Sequence, residues 1–220
     1  MLQHVYERAS RARYLTAMVI ATDDERVAEA ARRFGARVRM TRDDHRSGTD
    51  RVAEVASAET AEIIVNIQGD EPLIDPAAID AAILPVVHDS GIQMCTLKKR
   101  IEDPREILDP NVVKVVTDRE DNAIYFSRSP IPCMLRQSAY FKHIGLYVYR
   151  RQCLLAYPTL PVGPLEEAER LEQLRALENR HPIRVVETEY ESFGVDTPED
   201  LKRVSQLFEV SLVQGVKGNG

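Results

Sequence analysis

Carboxylates stand at the end of an apolar run in the segment "NIQGDEP" (66–72), where Asp70 and Glu71 follow "IIVNI". In open α/β sheets, ligands bind at the carboxyl ends of strands. Gly69 allows the backbone to turn tightly or to approach a ligand, and carboxylate oxygens are ligands that Mg²⁺ prefers. The alternative interpretation is a polar turn built from Asp70, Glu71 and Pro72.

A second carboxylate, Asp196, ends the extended run "SFGV". Residues 197–200, Thr-Pro-Glu-Asp, are typical of a helix start, with an N-cap, a first-turn proline and acids that suit the helix dipole. Asp196 stands just before this helix start. It could therefore meet Asp70 across the sheet and hold a divalent cation together with it, since Mg²⁺ sites commonly use one or two carboxylates plus substrate phosphates.

Polar residues also precede a predicted helix in "TRDDHRSGTDR" (41–51). His45, Ser47 and Gly48 lie before a helix that we expect to begin near residue 49 or 50. Polar side chains and backbone N–H groups at a helix start can contact a base edge or bind an anion. A solvated helix cap is the alternative.

The segment "PLEEAERLEQLR" (164–175) predicts a helix that continues to residue 178. Its leucines supply a packing stripe, while Glu166, Glu169 or Arg170, and Gln173 fall on another face. Such a face is often only solvated, but a polyhydroxylated ligand would find a row of hydrogen-bond acceptors and an amide there.

Other candidates lie on predicted strands. His143 precedes "IGLYVY", and Tyr147 falls on the same strand face. A histidine beside a strand can equally be a structural hydrogen-bonding residue. Arg128 and Lys114 are single basic residues in apolar settings, suited either to a ligand anion or to a native carboxylate.

The elements that must position these residues alternate along the chain. Short β-branched runs at 17–22, 36–40, 62–67 and 92–97 alternate with helical stretches such as 24–34 and 49–59, which predicts an α/β fold with a mostly parallel sheet covered on both faces. The pattern changes between 112 and 150, which predicts a small antiparallel or mixed insertion. A strand near 183–189 and a helix from 198 follow. We expect one domain over 1–210 and a flexible tail at 211–220.

Composition excludes several classes of protein. The net charge is −6 and the basic residues are spread along all 220 positions, so a nucleic-acid surface is not expected. The three cysteines have no CxxC spacing, which favours reduced thiols over a disulfide framework or a zinc site. There is no apolar run of about 20 residues that would span a membrane and no apolar secretory centre at the N-terminus. We expect a cytoplasmic protein.

Taken together, the motifs resemble one family, 3-deoxy-manno-octulosonate (Kdo) cytidylyltransferase. The resemblance rests on stretches that occur in order over nearly the whole chain: "VYERA", "VIATDDERV", "MTRDDHRSGTDRVAEV", "IVNIQGDEPLI", "NVVKVV", "YFSRSPIP", "HIGLYVYR", "PLEEAERLEQLR" and "GVDTPEDL". Their order and breadth make the resemblance far more specific than a single D-E-P motif.

The resemblance implies a Rossmann-like nucleotidyltransferase, usually a homodimer, that joins Kdo to CMP from CTP for lipopolysaccharide synthesis. It implies Asp70 and Asp196 as catalytic ligands of Mg²⁺. It places His45, Ser47 and Gly48 near the cytidine. Around the sugar acid it places six further residues: Gln68, Arg128, His143, Tyr147, Glu166 and Gln173. Other CMP-sugar-acid synthetases, such as one using sialic acid, and a non-catalytic remnant that binds sugar or dimerises are the alternatives.

One part of the family pattern is not found in the sequence. The family opens with an apolar strand and a loop of the form P-A-R-x-x-S-x-R-x-P-G-K-x-L, whereas this sequence begins at "MLQHVYERA". The resemblance implies that the loop's basic residues contact the triphosphate and that the strand fills a central place in the sheet. We therefore expect exposed apolar strand edges and reduced charge stabilisation in this chain.

Overall fold

The structure is a computed structural model that describes residues 1–133, 135, 139–195 and 197–216, with side chains described up to residue 208. The strands are β1 (Ile20–Thr22), β2 (Val38–Met40), β3 (Ile63–Asn66), β4 (Met94–Arg100), β5 (Lys114–Thr117), β6 (Ala123–Ser127), β7 (Phe141–Arg150) and β8 (Arg184–Glu187). The helices are α1 (Leu2–Ala9), α2 (Glu25–Arg33), α3 (Gly48–Ser57), α4 (Pro76–His88), α5 (Arg105–Leu108), α6 (Arg151–Ala156), α7 (Pro164–Glu169), α8 (Leu174–Glu178) and α9 (Pro198–Val216).

Side-chain caps start the longer helices. Asp24, Ser47 and Asp75 each accept a hydrogen bond from a backbone N–H in the first turn of α2, α3 and α4. At the start of α9, the Thr197 hydroxyl accepts from the Asp200 N–H at 3.2 Å, and the Asp200 carboxylate accepts from the Thr197 N–H at 2.9 Å. This reciprocal pair confirms the helix start predicted from the sequence.

The strands form a mixed sheet. Strand order in the larger sheet is β6-β5-β7-β4-β8, and β3 pairs with the other end of β7. Since β3, β4 and β5 are antiparallel to β7 and β8 is parallel to β4, these four strands run in one direction, while β6 runs against β5. The β5–β6 hairpin is the antiparallel insertion that the sequence predicted.

Helix α3 fixes the direction of the separate parallel pair β1–β2. Arg51, in the first turn of α3, donates to Asp23 just beyond β1 at 2.8 Å. Glu59, just beyond the other end of α3, pairs with Arg37 just before β2. Strands β1 and β2 therefore both run antiparallel to α3. In the larger sheet only β6 and β7 run against the other four described strands, and β1 pairs in parallel with β2, so the α/β fold with a mostly parallel arrangement of strands is confirmed.

Both faces of the sheet are buried. One core cluster contains Leu97, Ile144 and Val148 together with the apolar side of α4, and the other contains Met94 and Tyr149 together with residues of α3, α6 and α8. The alternation along β4 and β7 follows from the two-residue period of a strand. Burial on both faces makes these strands rigid supports for the loops at their ends.

An open groove separates β1 from β3. It has a volume of about 580 Å³ and is lined mostly by apolar side chains from α1, β1, α3 and β3, among them Val5, Ile20, Val55 and Val65. Within the described part of the chain, no strand pairs with the edges of β1 and β3 that face it. The apolar strand edges expected from the sequence are therefore present.

One prediction about a helix is corrected. The predicted helix over 164–178 is two short helices, because Arg170 adopts a left-handed conformation with φ of 52° and ends α7. The last helix continues to Val216 and residues 217–220 lie outside the described residues, so the flexible tail over 211–220 stays a prediction. Within the described residues, no helix is both long and apolar enough to cross a bilayer.

Candidate active site

The loop after β3 brings the predicted carboxylate motif to the carboxyl end of the sheet. Gln68 and Gly69 are exposed and Asp70 is partly exposed, whereas Glu71 is buried. The backbone C=O of Asp70 accepts from the N–H of Val195 at 3.0 Å. The loop and the segment that leads to position 196 are therefore adjacent, although Asp196 itself lies outside the described residues.

Glu71 does not project as a metal ligand, which corrects one expectation. Its two carboxylate oxygens accept from the Tyr190 hydroxyl at 2.8 Å and the Ser192 hydroxyl at 2.7 Å. Burial raises the pKa of Glu71, the two hydroxyl donors oppose this shift, and the neighbouring charge of Asp70 adds to it. Glu71 is thus a buried contact between the loop and a segment more than a hundred residues away.

Asp70 has the chemistry that a magnesium site needs. Its carboxylate supplies hard oxygen donors at the end of a rigid strand, and Mg²⁺ is commonly held by one or two carboxylates plus substrate phosphates. Within the described ranges, no group of three or more His, Cys, Asp or Glu side chains could hold a metal without further ligands. The residues present therefore fit Mg²⁺ only as a site completed by substrate, and magnesium stays a prediction.

At the start of α3, two of the three predicted nucleotide contacts have structural partners. The Ser47 hydroxyl caps the helix by accepting from the Asp50 N–H at 3.1 Å, and it donates to Glu172 at 2.8 Å. His45 is paired with Glu54. The third, Gly48, has no atom within 4 Å of the position that a Cβ would occupy, so a ligand can approach its backbone.

Gly48 and Gln68, predicted to contact different halves of the substrate pair, line the same groove. His45 instead lines a second cavity of about 650 Å³, beside Arg42 and Arg46. The structure therefore brings together Gly48, predicted to contact the cytidine, and Gln68, predicted to contact the sugar acid. It places His45 in a different cavity.

His143 and Tyr147 lie together on β7, as the sequence predicted, with ring centroids 5.4 Å apart. The Thr96 hydroxyl lies 2.8 Å from the Leu146 C=O and 2.9 Å from His143 Nε2. If the hydroxyl hydrogen goes to the carbonyl, the imidazole donates from Nε2–H and keeps Nδ1 as an acceptor. Burial lowers the pKa of His143 to about 3, so the ring is neutral at physiological pH.

Arg128 is held by backbone carbonyls. Its guanidinium donates to the C=O of Glu169 at 2.8 Å and to the C=O of Pro110 at 2.9 Å. Its own N–H donates to the Glu169 carboxylate, which also accepts from the Ser127 hydroxyl at 2.6 Å. Arg128 therefore stabilises the point where α7 ends.

The prediction that hydrogen-bond acceptors form a row along one face of a helix over 164–178 is wrong, because the helix is interrupted at Arg170. Glu166 accepts two hydrogen bonds from the Arg175 guanidinium at 2.6 and 2.8 Å. Gln173 is buried, 6% exposed, at the start of α8. The Arg175 guanidinium also lies over the ring of Tyr157, 5.4 Å from its centroid.

Sequence reasoning missed Glu172 and Arg175. Glu172 is a largely buried carboxylate that accepts from the Ser47 and Thr49 hydroxyls at 2.8 and 3.1 Å, and burial raises its pKa. It ties the start of α3 to the α7–α8 connection. The role of Glu172 could not be predicted from residue spacing, because its two hydroxyl partners lie more than 120 positions away in the sequence.

Comparison with known proteins defines the class. The family described as Cytidylyltransferase matches residues 1–185. The fold alone is also that of more distant nucleotide-dependent enzymes, such as 4-diphosphocytidyl-2C-methyl-D-erythritol synthase from Anaerococcus prevotii, with 13% identity, a TM-score of 0.63 and coverage of 94% of this chain and 88% of that one. The chain is thus of the cytidylyltransferase class.

More similar proteins narrow the class. A 3-deoxy-manno-octulosonate cytidylyltransferase from Solibacter usitatus is 75% identical over 100% of this chain and 88% of its own length. The protein of that name from Geobacter metallireducens is 58% identical over 93% of this chain and 85% of its own. A solved structure of CMP:2-keto-3-deoxy-manno-octonic acid synthetase with CTP has a TM-score of 0.92 and 41% identity, covering 96% of this chain and 88% of that one. The chain belongs to the 3-deoxy-manno-octulosonate cytidylyltransferase family.

Proposed function

We propose that this chain transfers CMP from CTP to Kdo and releases pyrophosphate, giving CMP-Kdo. The observation that carries the proposal is the 75% identity, over the whole chain, with a relative that bears the name of this activity. The fold shared with a synthetase solved together with CTP supports it. Magnesium dependence, a homodimer, a cytoplasmic location and a role in lipopolysaccharide synthesis stay predictions.

The reaction is in-line attack of the sugar's anomeric hydroxyl on the α-phosphate of CTP. The chain's own contribution is positioning and electrostatics, so no protein nucleophile is required. Asp70 supplies negative charge in the loop that follows the carboxyl end of β3. When bound there with the triphosphate, Mg²⁺ would neutralise phosphate charge and act as a Lewis acid.

The two substrates meet, in this proposal, at the end of the groove where Gly48 and Gln68 both lie. The open space over Gly48 lets a nucleotide approach the first turn of α3, whose N–H groups favour an anion. On the sugar side, we place Tyr147, neutral His143 and Gln173 beside Gln68. Arg128 and Glu166 can contribute only if the sugar displaces or shares their present partners.

The test is release of pyrophosphate from CTP and Kdo in the presence of Mg²⁺. The chain is assayed as it stands and also preceded by the apolar strand and basic loop of the family, with sialic acid in place of Kdo as the comparison substrate. Kdo-dependent release in either form supports the proposal. Release with sialic acid alone, or no release from both forms, contradicts it.

Asp70→Asn tests the predicted metal ligand. Turnover should fall by at least about a hundredfold, because a neutral amide is a poor ligand for Mg²⁺ and charge at the phosphates is then uncompensated. Asp103→Asn is the matched control, since the Asp103 side chain is 41% exposed and pairs with the exposed Arg105. Near-normal turnover of Asp70→Asn would remove Asp70 from the proposed metal site.

A further inference from the structure

The segment 188–195, which we name the strap, connects β8 to position 196 and is held from two sides. Its residues alternate in direction, as expected for extended backbone. Tyr190 and Ser192 contact Glu71. Glu191 contacts Lys99 and Lys142. The strap therefore lies between the loop after β3 and the basic side chains of β4 and β7.

On the basic side, the contacts are to the rigid sheet. Lys99 Nζ donates to the Glu189 C=O at 2.8 Å and lies 3.4 Å from the Glu191 carboxylate. Lys142 is buried, 7% exposed, and is shared between Glu191 and Glu106. These contacts fix the first half of the strap relative to the sheet.

On the other side, three hydrogen bonds join the strap to the loop that carries Asp70. Two are the hydroxyl bonds to Glu71. The third runs from the Val195 N–H to the Asp70 C=O at 3.0 Å. Glu71 and Tyr190 are both buried, 8% exposed each, so water has little access to compete for the hydrogen bond between them. The bonds end one residue before position 196.

We propose that Glu71 is a positioning residue that fixes the strap, as far as Val195, against the loop that carries Asp70. The proposal rests on the proposed function in one respect, the metal that Asp70 would bind. A carboxylate that accepts two hydroxyl bonds sets the separation of the two segments more firmly than the backbone bond alone, since each hydrogen bond adds its own constraint. Residues that orient the ligands of a metal without touching the metal also affect how tightly that metal is bound.

The test has a readout that needs no substrate. Hydrogen exchange of the Val195 amide, which donates to Asp70, should accelerate about tenfold in Glu71→Ala. Glu71→Gln should restore slow exchange, because its carbonyl accepts from one hydroxyl and its NH₂ can donate to the other. With CTP present, Mn²⁺ affinity measured by electron paramagnetic resonance should weaken about tenfold in Glu71→Ala.

Ser192→Ala is the second variant, chosen because it removes one bond at a partly exposed position. It should accelerate exchange less than Glu71→Ala does, and it should add nothing in the Glu71→Ala background. Glu178→Ala is the matched control: Glu178 also accepts two hydrogen bonds, from the Leu165 and Glu166 N–H groups, but outside the strap. It should leave exchange of the Val195 amide unchanged.

Unchanged exchange in Glu71→Ala, or a fully additive effect of Ser192→Ala, would overturn the positioning role. Faster exchange with unchanged Mn²⁺ affinity would overturn its link to the metal. These outcomes are separate from failure of the proposed function, which is measured as pyrophosphate release and would leave the exchange result standing.

Discussion

Glu166→Gln distinguishes a sugar ligand from a structural ion pair. The Glu166 and Arg175 side chains are only 12% and 7% exposed, and their two hydrogen bonds are short. Hydrogen bonding to Glu166 raises the pKa of Arg175, as expected for a strong pair. Glutamine keeps the shape and can accept one of the two bonds, but it removes the negative charge that the guanidinium contacts directly.

Removing one partner of a buried pair costs about 3–5 kcal/mol, and we expect the lower end, about 3 kcal/mol, because one bond can remain. For a chain of this size, that corresponds to a fall in the melting temperature of about 6–12 °C. The assay is thermal unfolding, with urea unfolding as a second measure. The double variant Glu166→Leu with Arg175→Met should recover much of the loss, because neither partner of this pair then remains as a charge without the other.

Arg105→Ala is the control, since its pair with Asp103 is exposed and should contribute little to stability. A melting temperature within about 2 °C of the original protein in Glu166→Gln would refute the structural role. If the KM for Kdo rose at the same time, Glu166 would be assigned to the sugar instead, as the sequence predicted.

Further predictions concern protonation, the start of α3 and the thiols. Because the pKa of His143 falls from 6.5 to about 3 on folding, stability is lost as pH falls below about 6.5, and this group should cost about 2 kcal/mol at pH 5 relative to pH 8. His143→Gln should lack that part of the dependence in urea unfolding at the two pH values. Ser47→Ala should lower the free energy of unfolding by about 1–2 kcal/mol, since a cap is lost, whereas Gly48→Ala should leave it level or raised and should weaken CTP binding in calorimetry. An unchanged CTP affinity in Gly48→Ala would contradict close approach of the nucleotide there. Cys95 is buried and burial raises the pKa of its thiol to about 12, so a thiol reagent should modify the exposed Cys133 first; rapid labelling of Cys95 in the folded protein would contradict its burial.

Local signals in the sequence predicted elements well. The β-branched runs and the Thr197 cap gave the strands and the start of α9 to within a few residues, because propensity and capping act over a few positions. The break at Arg170 was not predictable in this way. The leucine stripe of 164–178 continues in helical spacing through the break. The contact that accompanies the left-handed Arg170 comes from Arg128, 41 positions away from the Glu169 C=O to which it donates.

At the candidate site, the difference between what local signals predict and what long-range contacts determine is clearest at Asp70 and Glu71. The two carboxylates are neighbours and identical in chemistry, so the sequence assigned both to the end of the strand as oxygen donors. Their environments differ because one is partly exposed at the edge of the sheet and the other is buried against Tyr190 and Ser192. The hydroxyls that make this difference are 119 and 121 positions away. A motif can therefore locate the carboxylates, but only the fold determines which one is partly exposed at the edge of the sheet and which one is buried beside it.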